Sequence, residues 1–214
     1  MTILITGANR GIGRAMFDGY RDRGEKVIGT HRDAPSTDWI RLDVTDPGSA
    51  AQMAKDLVDT PIDLLVCNAG VFLDRGQSVA DLTADTWAKE FAVNVTGVFL
   101  TVQSLLPNIK AAGGKIAIIS SQLGSDTKAA GGNYVYRASK AAALNFGLNL
   151  AADLKDDGIA VGIYHPGWVQ TDMGGSSAAI TPGQAADGLL DRFAELSVAT
   201  TGCFKTWDGQ DHPY

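Results

Sequence analysis

The chain predicts an α/β fold: a doubly wound parallel sheet of about seven strands with helices on both faces. Three observations predict it. Short apolar runs alternate with helix-period segments along the whole length. The strand-like runs are continuously apolar, as in IDLLVCNAG at 62–70, so both faces of the sheet must be covered. The first such run, TILIT at 2–6, passes directly into a glycine-rich turn, GANRGIG at 7–13, and then into a helical pattern. Strand, glycine turn and helix together are the setting of a Rossmann-like nucleotide-binding unit. A length of 214 residues suits a single domain, 1–214, with a sizeable core.

The elements follow in order. After the glycine turn, Ile12, Met16 and Tyr20 recur at helical spacing until Gly24. KVIGTHRD at 26–33 reads as a second strand and its exit, and WIRLD at 39–43 as a third. Asp46 is a cap candidate with Pro47 at the first helical position, so a helix is expected over 46–59. The fourth strand is 62–70. One long helix is expected from Thr83 to Ala112, apolar over more than one stripe and interrupted by Asn94. GGKIAIISS at 113–121 is a fifth strand, followed by a glycine-rich loop and an Ala-rich helix that carries Tyr136 and Lys140. IAVGIYHPG at 159–167 is a sixth strand. Thr181 and Pro182 open a last helix, and TGCFKTWDG forms a last strand and turn.

Composition excludes several classes of function. The net charge is −6 and no basic patch interleaves with aromatics, so no nucleic-acid partner is expected. The N-terminal apolar run is too short for a signal segment or a membrane span, and no membrane partner is expected. His31, His165 and His212 lack metal-ligand spacing, so no metal is expected. Cys67 and Cys203 lie in strand-like contexts and are expected to be thiols in a cytoplasmic protein.

Chemistry concentrates at the strand ends. Glycines at 7, 11 and 13 let backbone amides approach a phosphate at a helix N-terminus. At the end of the second strand, where an acid would select a ribose 2′-hydroxyl, His31 stands instead, followed by Arg32. Arg10 can reach the same region, and two guanidinium groups suit a 2′-phosphate. NADP(H) is therefore expected over NAD(H), with Asp33 as the feature that would make NAD(H) possible. Tyr136 and Lys140 lie one helical turn apart and share a face. A cation beside a phenol favours the phenolate and makes it an acid–base group.

TGANRGIG at 6–13, NAG at 68–70, Asn94, Ser121, YRASK at 136–140 and PG at 166–167 resemble the short-chain dehydrogenase/reductase family, over residues 2 to about 209. HPGWVQTDMGG at 165–175 and the ending W-D-G-x-x-x-P-Y look most like its small C-factor and sniffer-like carbonyl reductases. The resemblance implies an oxidoreductase that moves a hydride between nicotinamide and a carbonyl or alcohol. Tyr136 would be the general acid/base, Lys140 would lower its pKa and bind the nicotinamide ribose, and Ser121 would hold the substrate oxygen. Ser121 is preferred to Ser120 because Gly124 follows it by three. Asn94 would kink its helix and hold a relay water. Gly7, Asn9, Arg10, Gly11, Ile12 and Gly13 would hold the phosphates, and Arg32 the 2′-phosphate. Asp43 and Val44 would contact the adenine, and Asn68, Ala69 and Gly70 the adenosine ribose. Pro166, Gly167, Val169 and Thr171 would hold the nicotinamide, with Tyr136 and Lys140 beside it.

One feature departs from the family pattern. Ser121 and Tyr136 are a couple of residues further apart than usual, and Tyr134 sits at the usual distance. Only Tyr136 has a lysine four residues on, so it is preferred, and the extra residues are expected to bulge within 124–133. Between Thr171 and Pro182 a short Gly/Ser/Ala segment predicts a small, mobile cover over an open site for a small or hydrophobic carbonyl compound. Trp168, Gln122 and Met173 are its candidate neighbours. The alternative function is an NADP(H)-binding signalling module with little turnover, which would not need Asn94, Ser121, Tyr136 and Lys140 together. The apolar helices at 83–112 and 136–154 predict a homodimer or homotetramer.

Overall fold

A computed structural model describes residues 1–33 and 39–214. Its seven strands are β1 (Thr2–Ile5), β2 (Lys26–His31), β3 (Trp39–Arg41), β4 (Leu64–Cys67), β5 (Lys115–Ile119), β6 (Ala160–His165) and β7 (Phe204–Thr206). They form one sheet in the order β3-β2-β1-β4-β5-β6-β7, every neighbouring pair parallel. The chain winds outward from β1 to β3, then returns to place β4 on the other side of β1. Connections diverge at that point, and ligands bind outside the carboxyl ends of strands at such a switch.

Side-chain alternation assigns the faces. Ile3, Ile5, Leu64 and Val66 point to one face, where they meet Met16, Phe17 and Tyr20 of α1 (Gly11–Asp22) and Leu189, Leu190 and Phe193 of α6 (Pro182–Glu195). Leu4, Leu65, Cys67, Ile116 and Ile118 point to the other. There they meet Met53 of α2 (Pro47–Asp56), Leu105 and Ile109 of α4 (Gly97–Ala112), and Ala151 and Leu154 of α5 (Tyr134–Leu154). Burial on both faces explains why the strands read as continuous apolar runs rather than alternating ones.

The expected helix over 83–112 is two helices. α3 (Ala84–Phe91) and α4 are joined by a π-helical turn at Ala92–Thr96, centred on Asn94. Periodicity counts apolar positions and cannot register one wide turn. Although 84–112 has the length and hydropathy of a membrane span, α4 buries Val98, Val102, Leu105 and Ile109 against the sheet.

Candidate active site

A cavity of about 500 Å³ opens along the carboxyl ends of the strands. Its floor is the turn after β1. Gly7 and Gly11 sit at φ +64° and +57°, in the left-handed region that favours glycine. A Cβ on Gly13 would lie 2.4 Å from the Gly7 carbonyl and 2.5 Å from Asn68 Nδ2. The start of α1 carries neither a side-chain cap nor an acidic residue in its first turn, so its amides and dipole face the cavity without a competing anion. This open cradle fits a nucleotide diphosphate.

The expected cofactor residues are brought together here. Gly7, Asn9, Arg10, Gly11, Ile12 and Gly13 line the cavity, as do Arg32, Asp43 and Val44. So do Asn68, Ala69, Gly70, Tyr136, Lys140, Pro166 and Thr171. Gly167 and Val169 do not: they face a second cavity of about 160 Å³ that continues from the first beyond Tyr136. The segment runs between the two cavities, and Pro166 before them and Thr171 after them line both. Asn68 is a weld as much as a wall. Its Nδ2 donates to the carbonyls of Thr6 (2.9 Å) and Gly7 (3.2 Å), while the Asn68 and Ala69 amides donate to Thr6 Oγ1. β1, the glycine turn and the exit of β4 are thereby fixed to one another.

At the adenosine end, Asp43 accepts from the Thr45 amide and hydroxyl. These bonds, with Arg32 and Arg41 nearby, hold its pKa below the ordinary carboxylate value. Asp33 points outward with its side chain 88% exposed, whereas His31 and Arg32 line the cavity. Arg10 lines it too and makes an exposed ion pair with Asp172.

The catalytic candidates meet where the two cavities join. Tyr136 is 8% exposed and Ser121 lies close enough to its phenol to pull its pKa down; Tyr134, at the first position of α5, is 41% exposed. Ser120 lines both cavities and Ser121 the second, but Ser120 Oγ donates to the Lys140 carbonyl, so its proton is committed to packing. Between Ser121 and Tyr136 the chain makes a short 3-10 turn at Asp126–Lys128 and passes through Gly131, Gly132 and Asn133, all at positive φ. This irregular stretch coincides with the 124–133 loop in which a bulge is expected.

Burial dominates the electrostatics. It pushes the Tyr136 phenol up to about 12, against the pull of Ser121 and Arg75, and pushes Lys140 down to about 8. The Lys140 ammonium lies 5.7 Å from the Tyr136 ring centroid and donates to the Ile119 carbonyl at 2.9 Å. The expected lowering of the phenol by Lys140 is not seen: burial raises it, and the groups that pull it down are Ser121 and Arg75.

Asn94 sits in the π turn that breaks the helix, as expected. Its Nδ2 donates to the Val71 carbonyl and Ser139 Oγ, its Oδ1 accepts from the Val71 amide, and it lines neither cavity. These contacts also make it a brace between the turn, Val71 and α5. Ser139 passes the contact on by donating to the Tyr136 carbonyl at 2.9 Å. A side chain at Gly70 would stand 3.2 Å from Asn94 Oδ1 and 3.5 Å from Lys140 Nζ, so glycine there keeps the space between them open.

The second cavity is lined by Phe72, Gln122, Leu123, Trp168 and Met173 among others, including the three expected substrate neighbours. The short cover is pinned rather than loose. Trp168 Nε1 donates to Gly174 O at 2.9 Å, Gln170 Nε2 to Ala178 O at 3.0 Å, and Arg75 to Met173 O. Sequence reading missed Phe72, Asp74, Arg75, Glu90 and Ser139. Each is an isolated residue whose partner lies far along the chain, so no local spacing marks it.

Comparison with known proteins agrees with this geometry. The family model for short chain dehydrogenase matches residues 1–180. A 1-hydroxy-2-glutathionyl-2-methyl-3-butene dehydrogenase from Rhodococcus sp. (strain AD45) is 35% identical over 97% of each chain. The NADPH-bound carbonyl reductase from chicken fatty liver superposes with a TM-score of 0.89 at 28% identity, covering 100% of this chain and 98% of that one. The carbonyl reductase Sniffer of D. melanogaster, at 24% identity, shares the fold with a TM-score of 0.93 over 100% and 99% of the two chains. The chain belongs to the short-chain dehydrogenase/reductase family, as an oxidoreductase acting on CH–OH and C=O groups.

Proposed function

We propose that the protein is an NADP(H)-dependent carbonyl reductase in which Tyr136 protonates the substrate oxygen. The observation that carries this reading is the buried Tyr136, beside Ser121 at the junction of a nucleotide-sized cleft and a smaller, largely apolar one. The nicotinamide supplies the hydride. Ser121 and Tyr136 offer two hydrogen bonds to the oxygen on which charge develops, and Tyr136 delivers the proton in reduction or accepts it in oxidation. Lys140, buried and cationic below its lowered pKa, places positive charge beside the phenol. Preference for NADP(H) rests on Arg32 and Arg10 in the cleft and on Asp33 turned to solvent; the chicken carbonyl reductase is NADPH-bound.

Phe72, Leu123, Trp168 and Met173 favour a small or hydrophobic ketone, aldehyde or quinone. Two free cysteines suit a cytoplasmic setting. Exposed Trp87 and Phe99 on α3 and α4 support a homodimer or homotetramer.

The test is a panel of carbonyl compounds assayed with NADPH and NADH in parallel. NADPH is expected to support the faster turnover, and Arg32→Ala to weaken NADPH far more than NADH. An advantage for NADH of about tenfold, ~1.4 kcal/mol, contradicts the cofactor assignment.

A further inference from the structure

Helix α5 begins without a cap of its own. Asn133, the residue before it, is left-handed at φ +51° and its side chain makes no capping bond. The first amides of a helix need partners when buried, and Val135 and Tyr136 are buried here. Asp74 supplies them from a loop sixty-one positions earlier. Its Oδ2 accepts from the Val135 amide at 2.7 Å and its Oδ1 from the Tyr136 amide at 3.4 Å, with the side chain fully buried. A carboxylate at this end is also favoured by the helix dipole.

The segment 71–74 that delivers Asp74 works as a strap. Both backbone groups of Val71 are held by Asn94. The Phe72 ring stacks on Tyr136 with centroids 4.2 Å apart and planes at 19°. The Leu73 amide donates to Glu90 Oε2 at 3.1 Å, and Glu90 is fully buried. Four consecutive residues thus alternate between a grip on the helix that carries Asn94 and a grip on Tyr136. On the other side, Ser120 holds the strand end to α5 by donating to the Lys140 carbonyl, so the strap and this bond together fix Tyr136 against Ser121.

We propose that Asp74 is a positioning residue for Tyr136, setting the phenol against Ser121 through its cap on α5 and the strap 71–74. The proposal rests on the reading of Tyr136 as the proton donor. A misplacement of about 1 Å at a reacting group can cost about 10²-fold in rate.

The experiment measures kcat, KM, the pH profile of kcat, NADPH affinity by fluorescence titration and thermal stability for Asp74→Ala, Asp74→Asn, Phe72→Leu and Tyr136→Phe, with assays well below every melting temperature. Asp74→Ala is expected to lower kcat by about 10- to 100-fold and to shift the pH profile, with NADPH affinity within about twofold of wild type. Asp74→Asn, which keeps one carbonyl acceptor, should recover an intermediate kcat. Phe72→Leu, which keeps the cap, should lower kcat by about tenfold. An Asp74→Ala protein that melts earlier yet keeps the wild-type kcat and pH profile overturns the proposal, leaving Asp74 as a fold-stabilising cap. If Asp74→Ala does not fold, a wild-type kcat and pH profile in Asp74→Asn does the same. Near-full turnover in Tyr136→Phe defeats the reading of Tyr136 itself, whatever Asp74 does.

Discussion

Tyr134 and Tyr136 are two positions apart on one helix, and burial gives them different chemistry. The exposed Tyr134 faces solvent, while the buried Tyr136 is pushed up to about 12 and meets Ser121. Two other buried groups make stability depend on pH with opposite signs. His165 is pushed down to about 4, chiefly by burial and then by His212. Between pH 6.5 and 4 the unfolded chain binds more protons at this site, so its contribution is lost as pH falls. Glu90 is pushed up to about 7 by burial; the Leu73 amide and Lys140 oppose the shift, and Asp74 adds to it. Between pH 4.5 and 7 the folded state binds more protons there, so its contribution is lost as pH rises. The two slopes oppose each other from pH 4.5 to 6.5. Glu90→Gln removes one of them, and denaturant unfolding across that range should show a steeper loss of stability on acidification than in wild type. An unchanged or shallower slope in Glu90→Gln contradicts the assignment. At this scale the sequence showed Tyr136 and Lys140, because helical spacing marks a shared face. It did not show Asp74 or Glu90, because a lone polar residue carries no sign of burial until distant segments close over it.

At the scale of elements, the glycine turn after β1 was legible because strand, turn and helix each leave a local pattern, and the cap at the last helix was legible for the same reason. There Thr181 and Gln184 form a capping box at the start of α6, with Pro182 at its first position. The π turn at 92–96 was not legible. It depends on Asn94 reaching Val71 and Ser139, contacts made across 23 and 45 positions, while the apolar pattern runs on through it. The glycine turn gives a direct test. With Gly7 O and Asn68 Nδ2 within 2.5 Å of the added carbon, Gly13→Ala must displace the loop. NADPH affinity should fall by at least about tenfold, ~1.4 kcal/mol. Unchanged affinity means that the turn does not hold the cofactor.

For the whole molecule, the strand count and parallel winding followed from continuous apolar runs separated by helices, since a sheet covered on both faces imposes that pattern. The interlock of the site did not follow, because it is written in pairs of distant residues. Self-association belongs to this scale. Phe99 is 41% exposed and packs edge-on against Phe146, joining the surfaces of α4 and α5. If a second copy covers this face, Phe99→Glu should shift sedimentation at micromolar concentration toward the monomer; a wild-type protein that is already monomeric contradicts it. The chemistry of the site turns on which tyrosine donates the proton. The measurement is the steady-state rate of NADPH oxidation with a reactive carbonyl compound for Tyr136→Phe and Tyr134→Phe. Tyr136→Phe should lose about 10²- to 10⁴-fold in kcat and Tyr134→Phe should stay within about twofold of wild type. Near-full turnover in Tyr136→Phe together with loss in Tyr134→Phe would contradict it.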